Sequence, residues 1–517
     1  MRQSHRLIWN SLVIWSMRVF RLVPELVLLP FLMHRLGTES YGIYVLAWSI
    51  LPVLALVQDG IGSAVVKYSA EFFGQSKIEH VNKVLSTSCL LLTIIGLISG
   101  LLPILVADFV PSFLGTTGQQ DSGAITFAFY VLGIMVMLSF PLMPYAGILH
   151  SLQRYDLFAL VRTVFGYLRA GAIVCCFSLV GPSIEVLVIV SAATEVLSGL
   201  CLAIIAYCLV PGLRNRLSLC NRNTAKMMLG FSTMILLCSL CSVINNSGVK
   251  WMMGLLVSPA FVAIMAVMLV PPRLMGEVVQ GMSLSIMPAT SKYSAQRNRK
   301  MLRELLVRGT RYMTLVVTVG MMAILLLSKP VLRVWMGAEY EYLSIYVIIL
   351  CGGNAVWMST SCTHHMLRGM GMLRSSLACA AVGPVIVTLG TILVVLRIGA
   401  SAYWALISGL MFGQIVATVM RIAFCTSRTG VRVKELLWHA YGEPMAIAVP
   451  VTVIALAAVH HLHAGGLVAR ITASTVAILV FTGFFGLVFL TQQEKQLARG
   501  IFQSVYLRMR GMLSPSG

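Results

Sequence analysis

The chain has 517 residues, 58% of them hydrophobic and only 11% charged, with a mean hydropathy of +0.90. A soluble domain carries roughly 25% charged residues, so a water-soluble fold of this size could not cover its surface. Secreted enzymes, cytosolic enzymes and disordered scaffolds are thereby excluded. The net charge is +21, and its meaning depends on where the charges sit.

A helix needs about 20 apolar residues to cross the hydrocarbon, at a rise of about 1.5 Å each. Such runs occur in chain order at 10–34, 41–66, 84–107, 124–149, 157–180, 185–210, 227–244, 252–289, 312–334, 342–366, 375–397, 402–425, 443–460 and 467–490. Their lengths suit helices, because barrel strands alternate over about ten residues. The pattern predicts an all-α polytopic membrane protein with about 14 transmembrane helices. The first run follows a basic start, as in a signal peptide. Arg18 and Arg21 interrupt it and no small-residue cleavage site follows, so it reads as a retained helix. The run 252–289 is too long for one straight span and holds Pro271-Pro272, where a kink or break is expected.

Lys and Arg placement sets the orientation. With the N-terminus inside, the inner joins hold Arg214, Arg216, Arg222 and Lys226, then Lys292, Arg297, Arg299, Lys300, Arg303, Arg308 and Arg311. The outer joins hold Lys250 alone, against Glu39, Asp108, Asp121, Glu339 and Glu341. Both termini are expected on the cytoplasmic side. Topology accounts for most of the positive charge, so nucleic acid is not expected as a partner. No Gly-x-x-x-x-Gly-Lys-Ser/Thr loop exists, and Asp59, Asp108, Asp121 and Asp156 are the only aspartates. No catalytic residue, metal or cofactor is therefore expected. Cys238 with Cys241, Cys362 with His364 and His365, and His460, His461 and His463 read as packing or interfacial residues. Gly96 and Gly100 read as a close helix contact.

The informative residues are ionisable groups deep in the spans, each costing about 2.5–3.5 kcal/mol on insertion scales. Arg18, Arg21 and Glu25 fall at i, i+3 and i+7 of the first span, on one helical face. Arg162 and Arg169 stand seven apart in the fifth span, and Arg273 and Glu277 four apart after the double proline. Asp59 precedes Gly60 in the second span, and Glu195 lies in the sixth. One reading is local ion pairs, Arg21 with Glu25 and Arg273 with Glu277, that fix packing. The other is a cation-rich internal face, where the planar arginine fork matches phosphate.

Asn10, Leu36-Gly37, Tyr41-Gly42-Ile43-Tyr44, Asp59-Gly60 and Lys67-Tyr68 resemble the opening of bacterial polysaccharide or O-antigen flippases. These belong to the multidrug/oligosaccharidyl-lipid/polysaccharide (MOP) exporter superfamily. The motifs cover about residues 8–72 and the fourteen-span plan nearly the whole chain. The resemblance implies a six-helix lobe at 1–210 and another at 211–425 around a central cavity, then two more helices and a basic cytoplasmic tail at 426–517. Lys67-Tyr68-Ser69-Ala70 recurs as Lys292-Tyr293-Ser294-Ala295, each ending the second span of its half, as a parallel duplication requires.

The resemblance further implies transfer of a lipid-linked oligosaccharide from the inner to the outer leaflet of a bacterial inner membrane by alternating access. Arg18, Arg21, Arg162, Arg169 and Arg273 would bind the pyrophosphate. Glu25, Asp59, Glu195 and Glu277 are the coupling or ion-pair groups, with a proton or sodium as the coupling candidate. Membrane lipids and other polysaccharide-assembly proteins are the remaining expected partners. Two relatives of the same superfamily stay open, a cation-coupled multidrug antiporter and a peptidoglycan lipid-precursor flippase. A glycan polymerase or ligase should carry a large outer loop, which is absent, and no enzymatic activity is expected.

Overall fold

The structure is a computed structural model that describes residues 20, 22–113, 119–283, 286–461 and 467–488. Every described element is helical. Helices satisfy their own backbone groups, which hydrocarbon cannot do. Among the described residues ten helices are long and apolar enough to cross a membrane, and the bent pair Pro259–Met268 and Val270–Ser283 makes an eleventh. Of the other three expected spans, 10–34 lies partly outside the described residues, which form a continuous helix at 22–36. The run 227–244 lies in the helix Arg222–Val243.

The run 41–66 is not one helix but Thr38–Trp48, Leu51–Leu54 and Leu56–Gly74. Ser49 closes the first piece by donating its hydroxyl to the Leu46 carbonyl at 2.7 Å. Pro52 then opens the next turn, where its missing N–H costs nothing. The long run near Pro271-Pro272 does bend, by 44°, but at Leu269. A proline ring crowds the carbonyl four residues earlier, so the distortion falls upstream of the prolines themselves. A second break, at Val257-Ser258, was not expected. There Ser258 caps the helix Pro259–Met268, its hydroxyl accepting from the Phe261 amide at 3.1 Å.

The chain forms two compact units, Met1–Gly281 with Leu373–Ala417, and Met282–Met372 with Thr418–Gly517. In the first unit Ile43, Ile61, Leu85, Phe129, Leu132 and Ile148 belong to one buried apolar core. Glycines let its helices touch. A Cβ at Gly42 would overlap the Pro259 carbonyl, so the helices Thr38–Trp48 and Pro259–Met268 cross at backbone contact. Gly100 does the same between Ile78–Val106 and Gln119–Ser139, where a Cβ would stand 2.6 Å from Met137 Cγ. Gly96 abuts Phe140, with 2.9 Å between a Cβ there and the ring's own Cβ. Polar side chains strap the join after residue 210 onto Ile78–Val106. Asn82 donates to the Gly212 carbonyl at 3.0 Å and accepts from the Arg214 amide at 2.9 Å. Ser86 accepts from the Arg216 amide at 3.1 Å.

In the second unit the helices Arg299–Trp335, Glu443–His461 and Leu467–Val488 close around Met322, Leu326, Phe481 and Phe485. Arg299–Trp335 has 37 residues, about 55 Å at the helical rise, against about 30 Å of hydrocarbon. Its basic first turns therefore extend beyond the apolar layer.

Gly100→Val should destabilise the first unit by about 1–3 kcal/mol, the usual cost of overpacking. Gly166→Val, at a glycine with open space around it, should not. Thermal denaturation in detergent compares the two, and equal melting temperatures would contradict the glycine contact.

Candidate functional site

Arg18 and Arg21 lie outside the described residues, and Asp59 lies in the helix Leu56–Gly74 with its side chain outside them. The other expected residues are placed. Glu25 and Arg273 pair with each other across the sequence. Arg273 Nη2 donates to Glu25 Oε2 at 2.5 Å, joining the helices 22–36 and Val270–Ser283 across 248 residues of sequence. Both side chains remain accessible, 49% and 38% exposed. Glu277, one turn beyond Arg273, is half-buried and has interactions of its own.

More charges gather around this pair. The buried Tyr41 hydroxyl lies within electrostatic reach of Glu25, Arg273 and Arg169. Its ring stacks on Tyr44 at 6.1 Å, and Tyr44 in turn meets the Ser191 hydroxyl at 3.3 Å. Lys250, also half-buried, lies within reach of Arg273. Among the described residues neither Arg169 nor Lys250 forms an ion pair. The described residues thus gather Arg169, Lys250 and Arg273 around Glu25, with Glu277 one turn beyond Arg273.

Arg162 makes its contacts elsewhere. Its Nη1 donates to Glu195 Oε1 at 2.6 Å and to the Ser198 hydroxyl at 3.2 Å, and its guanidinium stands 5.7 Å over Phe158. The seven-residue spacing does set Arg162 and Arg169 on one face of Tyr155–Leu179, about 10.5 Å apart along the axis. Arg162, which has no acid near it in sequence, is nonetheless neutralised from the next helix, Ile184–Leu209. Only Arg169 brings its charge to the cluster.

Lys250 was expected in an outer join. The polar run Asn245-Asn246-Ser247-Gly248 just before it is helical: Ile244–Gly248 is a π-helix that carries Arg222–Val243 straight into Val249–Leu256. Such single π-turns recur at functional sites. They cannot be told from a polar loop by composition. Sequence reasoning also missed ionisable groups in the second unit. Arg311 and Glu443 are buried with 3.6 Å between Nε and Oε2, and His439 Nδ1 donates to Glu443 Oε1 at 2.5 Å. Arg421 is buried with its guanidinium 5.0 Å over Trp357. Arg311 had been assigned to an inner join as one more topology charge.

Glu195→Gln should lower stability by about 1–3 kcal/mol, a buried-pair loss discounted for partial exposure. Adding Arg162→Gln should recover part of it. A double-mutant cycle on melting temperature measures the coupling, and strictly additive losses would mean the pair contributes nothing.

The MatE family profile matches residues 25–175. No curated protein sequence matches the chain. Among solved structures the chain is similar to the inward-facing conformation of a multidrug resistance MATE family transporter of the MOP superfamily. The TM-score is 0.68 at 16% identity, over 81% of this chain and 98% of that one. It is similar to the lipid II flippase MurJ in its inward closed conformation, with TM-score 0.68 at 13% identity, over 92% and 98% of the two chains. A MOP superfamily transporter from Pyrococcus furiosus, described as having a binding pocket of reverse polarity, gives 0.63 at 15% identity over 81% and 94%. The chain has the multi-pass helical fold that these transporters and the flippase share.

Proposed function

We propose that the chain is a MOP-superfamily flippase that moves a polyprenyl-pyrophosphate-linked oligosaccharide from the inner to the outer leaflet of a bacterial inner membrane, for cell-surface polysaccharide export. The observation that supports this reading is that, among the described residues, three cations from separate helices, Arg169, Lys250 and Arg273, gather around Glu25. A pyrophosphate cannot enter hydrocarbon unaided, because desolvating its charge is prohibitive. Arginine forks and an ammonium replace that lost hydration with charge-assisted hydrogen bonds.

Arg273 is already held by Glu25, so an arriving anion competes with Glu25 for the guanidinium. Glu25 falls in the lobe 1–210 and Arg273 in the lobe 211–425 of the repeat reading. Substrate binding would therefore loosen a tie between the lobes and favour their rocking. Pro24, Pro271 and Pro272 are the candidate hinge points, while the isoprenoid tail stays in lipid. Arg18 and Arg21 would extend the cationic face and Arg162 would flank it. Glu25, Asp59, Glu195 and Glu277 remain the candidates for proton or sodium coupling. With the inside negative, moving two negative charges outward across about 100 mV is favoured by about 4–5 kcal/mol.

A second reading has its own support. The flippase structure covers 92% of the chain where the MATE transporter covers 81%, and the extra share is as large as the two C-terminal helices. A peptidoglycan lipid precursor carries the same pyrophosphate and would use the same cations. A cation-drug antiporter would instead present its carboxylates to the substrate, whereas Glu25 here is engaged by Arg273.

Depletion of the protein should leave a lipid-linked oligosaccharide on the inner leaflet, read by lipid extraction and mass spectrometry. Accumulation of a peptidoglycan precursor favours the second reading, and drug sensitivity with no accumulated lipid overturns both. Arg169→Gln, Lys250→Gln and Arg273→Gln should each cut export about tenfold or more, since a charge-assisted hydrogen bond contributes about 1.5–3 kcal/mol. Normal export from all three would remove the cluster from the mechanism.

A further inference from the structure

The second unit holds a row of charges that the substrate site does not use. Glu435, His439 and Glu443 are spaced by four, and the π-helix Trp438–Gly442 carries the middle one between Val433–Leu437 and Glu443–His461. Opposite them, Arg303 and Arg311 stand eight residues apart on Arg299–Trp335, about 12 Å along the axis. Arg303 Nη2 donates to both Glu435 oxygens at 2.6 and 2.7 Å. Arg311 faces Glu443 at 3.6 Å, with the Phe485 ring of Leu467–Val488 beneath it. His439 lies between the two carboxylates, donating to Glu443 Oε1 at 2.5 Å and within electrostatic reach of Glu435.

Exposure falls along the row. Arg303 is 50% exposed and His439 47%, whereas Arg311 and Glu443 are each 10% exposed. Two arginines and two carboxylates balance one another, and His439 is the imidazole set among them, a side-chain type suited to exchanging a proton. Its Nδ1–H is committed to Glu443, which leaves Nε2 on a half-exposed ring as the basic atom. Glu443 Oε2 accepts no hydrogen bond among the described residues, so the buried carboxylate has spare capacity to stabilise an added charge. Tyr441, on the same π-helix, turns away to meet the Ser359 hydroxyl at 3.0 Å. Arg432 adds one further cation near Glu435.

We infer that the second unit carries a proton-binding site, the His439–Glu443 pair, which exchanges a proton with the water at the basic end of Arg299–Trp335. The proton comes from that water to Nε2 and returns the same way. Glu443 balances the imidazolium, and Arg311 limits how strongly it can do so. Protonation pulls Glu443 toward His439 and weakens its tie to Arg311, so occupancy of the site biases how Glu443–His461 is held against Arg299–Trp335. The site stands whatever the protein transports.

The test is a histidine-ring NMR titration of the full chain in lipid nanodiscs, with 15N-histidine labelling of its ten histidines. His439→Gln should delete one ring that takes up a proton between pH 5 and 8. Glu443→Gln and Arg311→Gln should displace that ring's midpoint in opposite senses, by about one pH unit or more, as loss of a neighbouring charge requires. Should either buried variant fail to fold, Glu435→Gln at the exposed end supplies the displacement. The proposal is overturned if the His439 ring does not titrate in this range, or if its midpoint is unmoved in every charge variant that folds.

Discussion

Arg273 reaches across 248 residues of sequence to hold Glu25 at 2.5 Å, and the charge of the first unit is organised around that contact. Neither group could stand alone in hydrocarbon, where each costs about 2.5–3.5 kcal/mol. Pairing them across two distant helices, instead of along one, means that neutrality depends on how those helices are placed. The pair is also incomplete as a neutralising device. Arg169 and Lys250 lie in the same electrostatic neighbourhood and form no ion pair among the described residues, and Tyr41 lies beside them with Tyr44 stacked on it. The result is a polar cluster of charges contributed by several helices of the first unit.

That arrangement depends on backbone approach. Gly42, inside the Tyr-Gly-Ile-Tyr motif, admits the Pro259 carbonyl where any Cβ would collide. The crossing fixes Thr38–Trp48, with Tyr41 and Tyr44 on it, against the helix that leads through the bend at Leu269 to Arg273. The π-turn at Ile244–Gly248 keeps Lys250 on a helix. A motif that looks like a sequence signature is thus a packing requirement, and it acts on function through the placement of charges.

The second unit meets the same constraint in another way. Arg303 and Arg311 on one helix face Glu435 and Glu443 across from it, so each carboxylate has an arginine and His439 stands between them. Arg162 with Glu195 in the first unit is a third solution, a compact pair stabilised by Ser198. Comparing the three shows that counting charges along the chain does not reveal which of them are paired. Arg162 is matched by an acid 33 residues away, a distance that helical periodicity cannot see.

Hydropathy alone determined that the chain is helical and multi-pass, because no other structure satisfies its backbone in lipid and because runs of about 20 apolar residues leave no soluble alternative. The ionisable residues within those runs were visible for the same reason, and Glu25, Arg162, Arg169, Glu195, Arg273 and Glu277 were all marked by their placement. Pairing was not visible. An i, i+4 spacing proposes local partners, whereas the contact the structure shows for Arg273 is with Glu25, 248 residues away. Lys250 and Arg311 were hidden because loops and helix ends are told apart by composition, and both lie next to polar residues that read as solvent-facing. Whether a charge near a span's end is solvated or buried depends on where neighbouring helices pass, and only the tertiary structure decides that.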